Sequence, residues 1–185
     1  MIDLNLNKGK ILIAEPAILN DISFSRSVIL LSEHNNEGSI GFVLNKPTDY
    51  TLSDLIPDVN CKSRIYNGGP VSMDNLYFIH SVPDLIPNSL AIDKNLFWAG
   101  DFEVVKDLLN SCTINNHQIR FFLGYTGWSA NQLDNEMKTK SWLIKNNEYS
   151  NILSVTTKSF WRDELIKSGG EYQIWANSPE DPNMN

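Results

Sequence analysis

Basic charge is in short supply: 15 Lys and Arg stand against 22 Asp and Glu, a formal charge of −7. An acidic field repels phosphate backbones, so direct nucleic-acid binding is disfavoured, and no local basic run offsets it. Lys138 and Lys140 alternate with neutral residues, and Glu136 lies four before Lys140, as on a paired, solvated helix face. Cysteine is scarce too. Cys61 and Cys112 lie far apart, outside any CxxC spacing and in no activating context, which fits a reduced, cytoplasmic chain. The three histidines, His34, His80 and His117, form no HxH or HxxxH pair, so no metal is expected. No apolar run approaches the roughly 20 residues of a membrane helix. The N-terminus has no basic region followed by an apolar core, so no signal peptide is expected either. GxSxG, GKS/GKT and GxGxxG are all missing, which removes the usual signatures of a nucleophile elbow, a phosphate loop and a dinucleotide site. No cofactor and no catalytic set are expected.

What is present reads as one domain of 185 residues, with a core over about 9–175 and a flexible tail over 177–185. Strands are expected at 9–14, 26–32 and 39–44, the last two forming a hairpin around Asn35-Asn36-Glu37-Gly38. Asn45-Lys46-Pro47-Thr48 ends that run, because proline cannot donate to a ladder. A short helix starts at Thr51-Leu52-Ser53-Asp54 and stops before Pro57. Further strands are expected at 64–67, 76–80, 89–92, 118–125, 142–145 and 152–155. Asp101 caps a helix over 102–112, whose apolar stripe includes Val105, Leu109 and a buried Cys112. Ser129 and Gln132 form a capping box for a helix over 129–139, with Leu133, Met137 and Ala130 facing inward. A last helix over 160–167 ends at Gly169-Gly170. The hairpin excludes an all-parallel sheet, so the fold class is α+β with a mixed sheet.

Phe121 through Glu136 forms the centre of this reading: an apolar strand, a glycine-rich loop with two aromatics, then a helix start. Each candidate group there and elsewhere has two readings. Tyr125 and Trp128 stack on a ligand, or lock a corner. Gln132 and Glu136 present an amide and a carboxylate to a cleft, or serve the capping box and Lys140. Asn45 and Lys46 bind an anion or a carbonyl, or shape a turn. Gly68, Gly69 and Pro70 bring backbone N–H groups to a ligand, or make a tight bend. His80 ends an apolar strand as acid, base or ligand, or is bonded to neighbouring backbone. His34 and His117 read as surface residues.

Taken together, several segments resemble the YqgE/AlgH family of bacterial proteins. They are Gly9-Lys10-Ile11-Leu12-Ile13-Ala14 with Pro16, Phe24 through Leu31 with Glu33-His34, and Gly41-Phe42-Val43-Leu44-Asn45-Lys46-Pro47. The match continues through Gly68-Gly69-Pro70-Val71, His80, Gly124-Tyr125-Thr126-Gly127-Trp128, Gln132-Leu133, Glu136 and Trp142, and spans about 9–175. One departure is that the family usually has glycine-rich residues before Gln-Leu-Glu, where this chain has Ser129-Ala130-Asn131 before Gln132-Leu133-Asp134. The resemblance implies a single α+β domain with a mixed, strongly curved sheet and flanking helices, in a bacterial cytoplasm. It supplies no mechanism. Some members carry the label of transcriptional regulator, from a link to exopolysaccharide production.

Three functions compete. The first is a non-enzymatic binding or regulatory protein, acting through a small-molecule or protein partner. Its polar cleft would be walled by Asn45, Lys46, Gly68, Gly69, Pro70, His80, Tyr125, Trp128, Gln132 and Glu136. The second is an enzyme with Lys46, His80 or Glu136 as acid–base groups. The third is a DNA-binding regulator, which the net charge disfavours.

Overall fold

The longest strand of the protein runs through the glycine-rich centre of the sequence rather than ending at it. In the computed structural model, which describes residues 6–178, ten strands make one mixed sheet. They are β1 (Ile11–Ala14), β2 (Val28–Asn35), β3 (Gly38–Val43), β4 (Pro47–Thr51), β5 (Arg64–Asn67), β6 (Val71–His80), β7 (Leu90–Ala91), β8 (Phe97–Trp98), β9 (Ile119–Ser129) and β10 (Trp142–Lys145). Helices α1 (Leu52–Leu55), α2 (Phe102–Asn110), α3 (Gln132–Lys138), α4 (Phe160–Ser168) and α5 (Tyr172–Ala176) flank it. The order is β10-β1-β2-β3-β9-β6-β8-β7, with β5 also on β9 and β4 on β5. Only β5–β9 is parallel. The α+β class with a mixed sheet follows from this pairing, and the 26–44 hairpin forms as β2–β3.

β9 explains the architecture. Its first half lies between β6 and β5, and its second half, from Thr126, lies beside β3. Successive side chains of a strand face opposite ways. Phe121 accordingly enters a core with Val105, Leu109 and Phe78, while Phe122 enters the other, with Phe42, Ile29 and Trp128. The sheet bends where β9 changes partners, helped by a register shift between Leu31 and Glu33 in β2 and one between Val71 and Leu76 in β6.

The partner change needs glycine. Gly124 has φ +68°, and a Cβ on it would sit 2.5 Å from the Gly69 carbonyl oxygen. A Cβ on Gly69 would sit 2.4 Å from the Tyr125 carbonyl carbon. Two backbones cross there at a distance no side chain permits.

Local chemistry decided the departures from expectation. The strand persists through Ser129, so α3 starts only at Gln132, after Asn131 turns the chain at φ +61°. Ser129 N–H still donates to Gln132 Oε1 at 3.0 Å, one arm of the expected capping box, but Ala130 is exposed rather than inward. Pro47 opens β4 instead of closing a strand; a first position needs no ladder donor. Residues 152–154 form a 3-10 turn, not a strand, with Asn151 accepting from Leu153 N–H. α2 is capped by Asp101 as expected, but stops at Asn110, and Cys112, at φ +55°, is exposed rather than buried. α4 is not the last helix, since α5 follows Gly169-Gly170. Of the expected tail, residues 179–185 lie outside the described residues. Asn177 and Ser178 are bonded, to Arg162 and Arg26 respectively.

Candidate functional site

The ten candidate residues fall into separate neighbourhoods. Trp128, Gln132 and Glu136 meet where β9, α3 and β10 pack. Glu136 Oε2 accepts from Trp128 Nε1 at 2.9 Å and from Trp142 Nε1 at 2.8 Å, while Oε1 accepts from Gln132 Nε2 at 3.0 Å. Glu136 therefore turns to two indoles, not to Lys140. Phe24 stacks on Trp128 at 6.3 Å and meets Trp142 edge-on, so aromatic rings fill the space beside this carboxylate. Tyr125 sits apart, edge-on to Tyr77 at 5.5 Å.

Gly68 and Gly69 belong to the backbone crossing. Gly68 N–H donates to Leu123 O at 2.8 Å, and Gly69 N–H to Asn67 Oδ1 at 3.1 Å. Both donors are spent inside the fold, and Pro70 is exposed beside them.

His80 is wholly buried. Val82 N–H donates to its Nδ1, which fixes the proton on Nε2, where Ala99 O at 3.3 Å and Ser89 Oγ at 3.0 Å accept it. Ser89 Oγ gives its own proton to Ile86 O. Burial pushes this imidazole below its ordinary pKa, only partly countered by the Ala99 bond. A neutral, fully bonded ring is the result.

Asn45 and Lys46 open onto a cleft of about 380 Å³, lined also by Ser25, Arg26, Lys158, Ser159, Trp161 and Arg162. Asn45 bridges the mouth of the hairpin: its Oδ1 accepts from Val28 N–H and its Nδ2 donates to Arg26 O. Lys46 Nζ donates to Ser23 O at 2.7 Å. Burial pushes this ammonium below the usual lysine pKa, although Asp21 attracts it through space. The Arg26 guanidinium lies 4.9 Å over the Trp161 ring, and its Nη2 donates to Ser178 O at 3.0 Å. Arg162 Nη2 donates to Asn177 Oδ1 at 2.7 Å. Four cations converge from the loop before β2, the β3–β4 junction and the start of α4. Sequence reasoning named two of the eight lining residues. Arg26 carried a usable signal, because the hairpin pairs Ile29 with Val43 and so brings Arg26 near Lys46. The residues from α4 carried none.

A second charged cluster lies where α4 meets β10. The buried Glu164 carboxylate accepts from Tyr149 Oη, from Lys167 Nζ at 2.7 Å and from Lys145 Nζ at 3.1 Å. Burial alone would raise the Glu164 pKa, but the bonds from Lys167, Tyr149 and Lys145 bring it below its ordinary value. The cleft beside it, about 670 Å³, has Lys145 and Lys167 balanced by Glu148 and Glu164. Among the described residues, no three His, Cys, Asp or Glu side chains gather as a metal site would require. No helix of the described residues is long and apolar enough to cross a membrane.

Comparison with known proteins agrees with the architecture. The profile of the AlgH-like family matches residues 11–173. A UPF0301 protein of Bacteroides thetaiotaomicron is 38% identical over 181 residues, covering 97% of this chain and 91% of its own. One from Parabacteroides distasonis is 43% identical over 182 residues, covering 96% and 91%. A crystal structure from Corynebacterium diphtheriae superposes with a TM-score of 0.77 at 19% identity, over 96% of this chain and 95% of that one. The solution structure of the AlgH protein from Pseudomonas aeruginosa gives 0.72 at 24% identity, over 93% and 94%. At those identities the structural likeness concerns the fold.

Proposed function

The chain belongs to the AlgH-like family, and from that premise we propose that it is a non-enzymatic binding or regulatory protein, engaging a small-molecule or protein partner at the Asn45–Lys46 cleft. One contrast carries this reading. Of the three acid–base candidates, His80 and Glu136 have their polar atoms taken up by protein partners, whereas Lys46 faces a cleft. The enzyme reading is left with Lys46, whose depressed pKa suits proton transfer. Among the described residues, no His, Asp or Glu lines the cleft beside it to act as its counterpart.

Direct DNA reading has less support. Helices α4 and α5, joined by Gly169-Gly170-Glu171, are the pair most like a helix-turn-helix. The second of them, Tyr172–Ala176, has no cationic side chain with which to read a groove. The regulator label of some family members fits better with recognition of a ligand or protein. A cytoplasmic location is part of the proposal, supported by the free cysteines Cys61 and Cys112.

The test is native purification followed by mass spectrometry of co-purifying small molecules and proteins, for wild type and Lys46→Ala. A molecule held by wild type and lost from the variant is the expected result. Retention by the variant would exclude this cleft, and Lys46-dependent turnover in a hydrolase and transferase substrate panel would make the protein an enzyme.

A further inference from the structure

Resting on the reading of the Asn45–Lys46 cleft as the binding site, we infer that its ligand carries a phosphate-class dianion, either free phosphate or a phosphate monoester on a small molecule. The first observation is sign. Lys46, Lys158 and Arg162, with Arg26 beside them, line one cleft that has no carboxylate among its described lining residues, in a chain with a net charge of −7. Like charges gathered at one cleft repel, and an anion among them relieves that repulsion. The larger cleft of about 670 Å³ balances two lysines with two glutamates and has no such demand.

The second observation is how the cations are held. Lys46 Nζ rests on a backbone carbonyl, and Arg162 Nη2 on a side-chain amide. Neutral acceptors fix the position of these groups without cancelling their charge. Each retains further donors, because an ammonium has three and a guanidinium five. Arg26 is held over Trp161 and against Ser178, which orients its planar fork. Asp21, outside the lining and held by the N–H groups of Ser23 and Phe24 on its Oδ1, attracts Lys46 through space and offsets part of that one charge.

The third observation is the start of α4. Ser159 lines the cleft at the N-cap of this nine-residue helix, and its hydroxyl donates to Asp163 Oδ2 instead of capping the first turn. The positive end of the helix adds to the same field, offset in part by the Asp163 carboxylate in its first turn. The Arg162 guanidinium fork and the two ammonium groups of Lys46 and Lys158 suit a tetrahedral dianion with several acceptor oxygens better than a single carboxylate. At about 380 Å³ the cleft suits a compact ligand.

Calorimetric titration of the full chain at constant ionic strength tests this, using inorganic phosphate, pyrophosphate, glycerol phosphate and acetate. Saturable one-to-one binding is expected for at least one phosphate probe, with acetate weaker. Inorganic phosphate against glycerol phosphate separates the free ion from an ester. Lys46→Gln and Arg162→Gln should each weaken binding by about 10-fold or more, the loss of a charge-assisted bond. Lys62→Gln, outside the cleft, should not, and matching unfolding midpoints would show that all three variants fold. Absence of saturable phosphate binding, or binding indifferent to Lys46 and Arg162, overturns the inference. A neutral ligand that co-purifies in a Lys46-dependent way overturns it too, yet leaves the binding-protein reading intact. Hydrolysis of the bound ester keeps the anion site and removes the non-enzymatic reading.

Discussion

Replacing Glu136 separates a structural carboxylate from a ligand-binding one. Its Oε2 accepts both indole N–H groups, from Trp128 and Trp142, which are only 5% and 2% exposed. Glu136→Leu would strand both donors in an aromatic wall that water does not reach. A buried unpaired donor costs about 1–3 kcal/mol, so the variant should lose about 2–5 kcal/mol of a domain stability of about 5–15 kcal/mol. Glu136→Gln keeps one oxygen for the two indoles. Its new NH2 then faces Gln132 Nε2, which cannot turn without taking Oε1 from Ser129 N–H. That clash of donors, with the lost charge, should cost about 1–2 kcal/mol. Urea unfolding followed by tryptophan fluorescence measures both. Trp142→Phe on the Leu background removes one stranded donor and should cost less there than in wild type. If Glu136→Leu lies within about 0.5 kcal/mol of wild type, the level of an ordinary surface change, the carboxylate is not holding the indoles and the argument fails.

The backbone crossing predicts that Gly124→Ala costs about 3 kcal/mol or more by thermal or urea unfolding, since its Cβ would lie 2.5 Å from Gly69 O and 2.8 Å from Val71 O. Gly170→Ala, also at positive φ but with nothing within 4 Å, should cost only about 1–2 kcal/mol. His80 predicts a pH dependence. Its folded pKa lies below the ordinary 6.5, so the unfolded chain takes up a proton first as pH falls. Its contribution is complete above pH 6.5 and is lost as pH drops from there towards the folded value. Stability curves at neutral pH and at pH near 5 should show a smaller slope for His80→Gln than for wild type. Arg120 is buried with three backbone carbonyls as acceptors, Leu44 O, Leu153 O and Val155 O, and lies over the Tyr66 ring. One ammonium cannot span those carbonyls, so Arg120→Lys should cost about 2–3 kcal/mol in urea unfolding.

Local chemistry made much of the fold legible. The 26–44 hairpin, the strands at 64–67 and 142–145, the Asp101 cap and the class of the sheet all follow from short-range patterns. What escaped the sequence depended on distant partners. Phe97–Trp98 is too short to announce itself, and it becomes a strand by lying between Ile79-His80 and Leu90-Ala91. Gly124 falls within the expected strand 118–125, but nothing nearby in the chain shows that Gly69 packs on it, and Gly127 reads as a loop residue because nothing nearby shows that β3 pairs there. For His80 and Glu136 residue type leaves both a reactive and a bonded reading open, and only the folded partners decide for the bonded one. The cationic cleft was half visible. The hairpin brings Arg26 to Lys46, whereas Lys158 and Arg162 arrive in the turn before α4 and on α4 itself, more than a hundred residues later.

The two ways this protein treats buried positive charge bear on what it recognises. At Arg120 three carbonyls and a ring enclose the guanidinium, so the charge serves the core. At Lys46 the enclosure is partial: burial depresses the ammonium's pKa, yet one side of the group opens to a space shared with three more cations. A charge left in such a place costs stability, and under the proposal above an entering anion offsets that cost. The acidic remainder of the surface then selects among anions. A long polyanion meets the repulsion of the whole chain along its length, whereas a small phosphate reaches the cleft and feels the local field. The same charge distribution therefore argues against a nucleic-acid backbone and for a compact anion.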